Sequence, residues 1–138
     1  MTEIYVSTQK DNPLNEFLIN YGFDVEEINE NILKVTREDE LPVFISVNPE
    51  SLYFEVDICG TKDLNLNEDF LYRILDLNTE ILPVSVGINS SDPDNVRLVL
   101  IESRETGHLN DNELLAVFDA LELAVDRMEG LLAEKIAE

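Results

Sequence analysis

Apolar positions along the chain repeat with two periods, and each switch between them marks the edge of an element. Leu14, Phe17, Leu18 and Tyr21 share one face at helical spacing, Asn12 stands as N-cap with Pro13 at the first helical position, and Gly22 is a stop. A short amphipathic helix is expected there. The period then drops to two. Ile32 to Thr36 predicts a short strand, and Leu41 to Val47 puts Val43, Ile45 and Val47 on one face with Phe44 and Ser46 on the other. From Leu52 to Cys59 the alternation sends Leu52, Phe54, Val56 and Ile58 inward and Tyr53, Glu55, Asp57 and Cys59 outward. Asn48-Pro49-Glu50-Ser51 between these last two is turn chemistry, so they are expected to form an antiparallel hairpin.

A second helix is expected to begin near Asn65 or Asn67, with Glu68 and Asp69 in a first turn whose dipole favours anions. It carries Phe70, Leu71, Ile74, Leu75 and Leu77, with Pro83 as its outer limit. Ser85 to Ile88 and Val96 to Ile101 read as a second hairpin across the polar stretch Asn89 to Asn95. The last element is the clearest. Asn110 and Glu113 form a capping box flanked by Leu109 and Leu114 as a hydrophobic staple. Roughly 27 residues follow, interrupted by Gly130 alone, which makes a helix about 40 Å long. Leu114, Val117, Phe118, Leu121, Ala124, Val125, Met128, Leu131 and Leu132 fall in a stripe about 140° wide, enough to cover a sheet face. Asp119, Glu122, Asp126 and Glu129 form an acidic ridge beside it, and Leu115 and Leu123 lie off the stripe as surplus apolar surface.

The expected fold is therefore α+β: an antiparallel five-stranded sheet packed by helices in the order α-β-β-β-α-β-β-α, one domain over residues 1–138. A 44% apolar fraction supports a core of that kind without staples.

Charge narrows the partners. Thirty acidic against nine basic side chains give a net charge of −21, which repels phosphate backbones and anionic headgroups. The basic residues are scattered singly, so neither nucleic acid nor membrane is expected as a direct ligand. One cysteine, Cys59, suits a reducing compartment, the N-terminus lacks signal-peptide character, and no apolar run is long enough to span a membrane; a cytoplasmic location is expected.

Candidate chemistry is sparse. His108, beside Gly107, reads as a loop residue, and the chain contains no Gly-x-Ser-x-Gly elbow, His-Glu-x-x-His pair or glycine-rich phosphate loop. Cys59 has no basic sequence neighbour to activate it. Asp92 and Asp94 offer oxygen ligands, but the Asn89–Asn95 stretch lacks the glycine and the bidentate glutamate of a calcium loop, so it reads as a polar hairpin loop. Glu38, Asp39 and Glu40 read as a solvated turn. No catalytic, cofactor or metal residue is expected, and the chain is not expected to be an enzyme.

The element order resembles the type III secretion chaperone-like fold, a group of small acidic proteins that bind other proteins. Locally, Leu41-Pro42-Val43-Phe44-Ile45-Ser46-Val47, Leu77-Asn78, Pro83-Val84-Ser85 and Gly87 resemble the YjfI-like family, over roughly residues 40 to 130. The YbjN-like regulators share the same order. The resemblance implies a homodimer and, for a YjfI-like chain, a setting near PspA-type membrane-stress proteins.

The reading is a non-catalytic cytoplasmic adaptor, chaperone-like protein or regulator that binds another protein. The ridge Asp119, Glu122, Asp126 and Glu129 is the candidate docking surface for a basic partner, and Leu115 and Leu123 are the candidate dimer contact. The alternative reading is an acidic mimic of nucleic acid that blocks a DNA-binding protein, motivated by the −21 charge.

Overall fold

The computed structural model describes residues 13–62, 64–107 and 109–137; Asn12 and His108 lie outside the described residues. Helix α1, Pro13–Asn20, ends in a Schellman turn: the Gly22 N–H donates to the Ile19 carbonyl at 3.1 Å and the Phe23 N–H to the Leu18 carbonyl at 3.0 Å. Gly22 sits at φ +90°, a conformation in which a side chain would be strained. Leu18 and Phe23 are both buried, the apolar pair such a turn brings together, whereas Tyr21 is exposed beside Phe17.

Next come β1, Asp24–Glu27; β2, Ile32–Thr36; β3, Val43–Val47; and β4, Ser51–Gly60. Helix α2, Glu68–Asn78, precedes β5, Ser85–Asn89, and β6, Arg97–Glu105, and α3 closes the chain over Asp111–Ala137. All pairings are antiparallel, in the order β1-β2-β3-β4-β6-β5.

The sheet therefore has six strands, not five, and the strand missing from the sequence reading is β1. It is four residues long, pairs only with β2 and carries three acidic side chains around the half-buried Val25. Charge on a short edge strand blocks further pairing, and it also removes the alternation by which a strand is recognised. Both expected hairpins, β3–β4 and β5–β6, form.

Leu33, Val35, Val43, Ile45, Val47, Leu52, Phe54, Val56, Leu98 and Leu100 line one face of the sheet. They share one core with Leu14 and Leu18 of α1, Phe70, Ile74 and Leu77 of α2, and seven residues of α3 from Leu114 to Met128. The three helices thus lie on one face and leave the other bare among the described residues. Phe118 is the hub, with its ring centroid 4.6 Å from that of Phe23 and 6.0 Å from that of Phe54.

A second correction concerns Cys59. The β4–β6 register slips between Asp57 and Cys59, leaving Ile58 as the extra residue of a bulge and placing Cys59 opposite the inward Leu98. One inserted residue reverses the facing of everything after it, so Cys59 turns toward the core instead of outward. Glu102 is the single buried charged residue among the described residues. Its Oε2 accepts from Arg104 Nε at 2.6 Å, while Oε1 has no partner.

Candidate protein-interaction surfaces

The capping box forms as the local text implies: Asn110 Oδ1 accepts from the Glu113 N–H at 2.9 Å and Asn110 Nδ2 donates to Glu113 Oε1 at 2.7 Å. This fixes where α3 begins, and burial of its apolar stripe from Leu114 to Met128 turns the acidic ridge outward. Two ridge members are engaged within the chain. Arg37, in the turn after β2, donates through Nε to Glu122 Oε1 at 2.8 Å and through Nη2 to Asp119 Oδ1 at 3.1 Å, with its guanidinium 5.1 Å from the Phe23 ring centroid. Burial works against the Arg37 charge, but the bonds to Glu122 and Asp119 outweigh it and raise its pKa. Asp126 and Glu129 lie further along the same exposed side. Desolvation of the exposed Glu40 carboxyl, then the negative charge of Glu122, Asp126 and Glu129, raises its pKa, with Arg37 opposing. The turn and the ridge thus form one acidic surface.

Asp126 also borders a cleft of about 400 Å³ between α2 and α3, floored by Leu77, Gly130 and Leu131. Arg73 pairs with Glu134, and Arg127 pairs with Glu80 at 2.8 Å, tying α2 and the turn after it to α3. The surplus leucines of α3 part company: Leu115 is half-buried against the core and Leu123 is 59% exposed.

Sequence reasoning missed where the larger apolar surplus lies. On α2, Phe70, Ile74 and Leu77 enter the core, whereas Leu71, Tyr72 and Leu75, with Leu82 in the following turn and Ile88 on edge strand β5, are between 38% and 73% exposed. At about 100° per residue, Leu71 and Leu75 stand roughly 160° around the helix from Arg73, the side that faces α3. Asn67 caps this helix by accepting from the Phe70 N–H at 2.9 Å, and Asn78 Oδ1 accepts from the Val86 N–H at 2.6 Å, which fixes the end of α2 against β5. The signal was present as six apolar residues, Tyr72 included, in an 11-residue helix, more than one buried stripe takes up.

On the bare sheet face, cross-strand registers place Phe44 and Ile101 on either side of Glu55. Glu55 Oε1 accepts from the Tyr53 hydroxyl at 2.9 Å, and Asn89 Nδ2 lies 3.3 Å from Oε1 and 3.2 Å from Oε2. Burial, reinforced by Glu55, pushes the Tyr53 phenol up to about 12. Beside it, Arg97 grips Asp57 in a two-pronged pair, both contacts at 2.9 Å, and this raises the Arg97 pKa. Phe44, Glu55, Asp57, Asn95 and Arg97 border an open hollow of about 530 Å³.

Burial raises the Cys59 thiol pKa, Asp57 adds to it and Arg97 opposes it without prevailing, so the thiolate form is disfavoured. In the 90–95 loop, Asn89 Oδ1 accepts from the Ser91 N–H and hydroxyl and Asp92 Oδ1 from the Asp94 N–H, local turns that occupy these oxygens. No group of three His, Cys, Asp or Glu residues poised for a metal occurs among the described residues, and none of their helices is long and apolar enough to cross a membrane.

No protein-family model matches the chain, and no curated protein matches it. Solved structures do. A chain of the heterodimeric ExoU-SpcU complex from the type III secretion system of Pseudomonas aeruginosa is similar at TM-score 0.68 and 17% identity, covering 86% of this chain and 96% of its own. YbjN, a proposed transcription regulator from E. coli, is similar at TM-score 0.63 and 14% identity, covering 91% of this chain and 95% of its own. At these identities the likeness establishes the fold: the α+β, chaperone-like architecture expected from the element order, with six strands.

Proposed function

We propose that this protein is a non-catalytic, chaperone-like adaptor that binds another protein and acts as a homodimer joined through the outer flank of α2 and the β5 edge. The observation that carries it is the unburied row Leu71, Tyr72 and Leu75, with Leu82 and Ile88 at the neighbouring sheet edge. Apolar surface of that size concentrated at one place on a small acidic protein is the mark of an interface. A two-fold contact there is self-complementary, and Glu68, Asp69 and Asp76 can stay hydrated at its rim. Leu123 lies outside this surface, so Leu115 and Leu123 give way to α2 as the main contact. The acidic ridge, Asp119, Glu122, Asp126 and Glu129, remains the proposed docking surface for a basic partner. Support for a protein partner also comes from the similar chain of ExoU-SpcU, itself part of a heterodimeric complex. The YjfI-like resemblance adds PspA-type proteins as the partner to try first.

Sedimentation at micromolar concentration tests the assembly. The expected mass is twice that of the 15.7 kDa chain at physiological salt, loosening at very low salt. A mass of one chain at every salt concentration refutes the dimer.

A further inference from the structure

The bare face of the sheet carries one carboxylate that is held in place but not neutralised. Around the hollow stand Glu55, Asp57 and Arg97. The guanidinium of Arg97 is spent on Asp57, so the negative charge left over belongs to Glu55. Its hydrogen-bond partners, Tyr53 and Asn89, are neutral, and no cation pairs with it among the described residues. Neutral donors fix where a carboxylate points without cancelling its charge, which leaves it pre-organised to attract a cation. The Tyr53 phenol, with its pKa near 12, keeps its proton and keeps donating across the physiological range.

The surroundings favour an organic cation over a hydrated metal ion. Phe44 is the direct cross-strand neighbour of Glu55 and Tyr53 its same-face neighbour two residues back, which puts two aromatic side chains beside the charge. A side chain that lays an apolar stem against Phe44 and Ile101 and brings its charged end to Glu55 satisfies both features at once.

We infer that the Glu55 hollow, flanked by Phe44 and Tyr53, is a docking site for a single arginine or lysine side chain of a partner protein. The inference rests on the protein-binding reading, but it uses a surface separate from the α2 flank and from the α3 ridge. Its occupant carries one positive charge to match the one carboxylate in excess among the residues that line the hollow; Lys34, cross-strand from Phe44 on the same face, lies outside that lining.

Because the whole molecule is acidic, the test needs a readout resolved by position. A capped peptide, Ala-Ala-Arg-Ala-Ala, is titrated into the full-length protein while backbone amide NMR signals are followed, with the same peptide carrying uncharged citrulline as control. Saturable shifts are expected at residues 44, 55 and 101, with none from citrulline. Glu55→Gln should weaken them at least tenfold, and Phe44→Ala, which keeps the carboxylate, by about threefold or more. Shifts spread evenly over the α3 ridge and unchanged in Glu55→Gln would overturn the site, reducing it to general attraction by an acidic surface. Sedimentation of Glu55→Gln should match wild type, so loss of this site and loss of the dimer are told apart.

Discussion

Helices α3 and α2 are both amphipathic and both pack on the same face of one sheet, yet they bury their apolar residues differently. Helix α3 lies across the middle of the sheet, where Phe118, Leu121 and Val125 meet Val35, Val43 and Val56 from three strands. A helix in that position has sheet on both flanks, so its wide stripe is used up and Leu115, off the stripe, still finds partial cover. Helix α2 sits at the edge, fixed to β5 at its C-terminal end. One of its flanks faces α3 through Arg73, with Glu80 just beyond its end, and the other carries the exposed Leu71 and Leu75. The same kind of leucine is core on one helix and exposed on the other because the layer ends there. The count of apolar residues in a helix therefore signals a surplus, but place in the sheet decides whether that surplus is covered.

The largest effect comes from setting one helix against the other. Phe118→Ala, which removes the ring between Phe23 and Phe54, is expected to cost about 3–5 kcal/mol in urea unfolding. Leu75→Lys should change monomer stability by no more than about 0.5 kcal/mol while abolishing the dimer in sedimentation. If Leu75→Lys destabilises as much as Phe118→Ala, the contrast between the helices is wrong.

A smaller effect sharpens the account of the ridge. Arg37→Met keeps an aliphatic stem over Phe23 but leaves Asp119 and Glu122 unpaired. With Arg37 about a quarter exposed, the loss should be about 1 kcal/mol in low-salt unfolding and should shrink as salt is added. A loss independent of salt would mean that packing, not charge, holds the β2–β3 turn to α3.

The smallest effect concerns Glu40, whose carboxyl is raised by desolvation and then by Glu122, Asp126 and Glu129. A raised folded-state pKa means that the folded protein holds this proton more tightly than the unfolded chain. Its contribution favours folding at acid pH and is lost as pH rises through the folded-state value. The charged form of Glu40 is a small liability, so Glu40→Gln should raise the urea midpoint slightly at pH 7. The gain should vanish at a pH low enough to protonate Glu40 itself, and an unchanged midpoint at pH 7 would mean the ridge does not reach this turn.

Local rules written in a few neighbouring residues were legible in the sequence alone. The capping box at Asn110 and Glu113, the glycine stop at Gly22, the hairpin turn at Asn48–Ser51 and the inward set of β3 all depend on contacts within a handful of positions. The acidic composition was legible too, and together with the lack of recognisable catalytic motifs it motivated the protein-binding reading. Tertiary structure decided what depends on distant partners. β1 exists because β2 offers it a ladder, and its own four residues carry no strand pattern. Cys59 faces the core because a bulge against β6 shifts the register by one residue, which no count along β4 reveals. Arg37 reaches the α3 ridge across 85 residues of sequence, and Glu55 gains Asn89 from a strand 34 residues away. Periodicity assigns a side chain to a face of its own element; whether that face is covered, paired or left bare depends on which elements end up beside it.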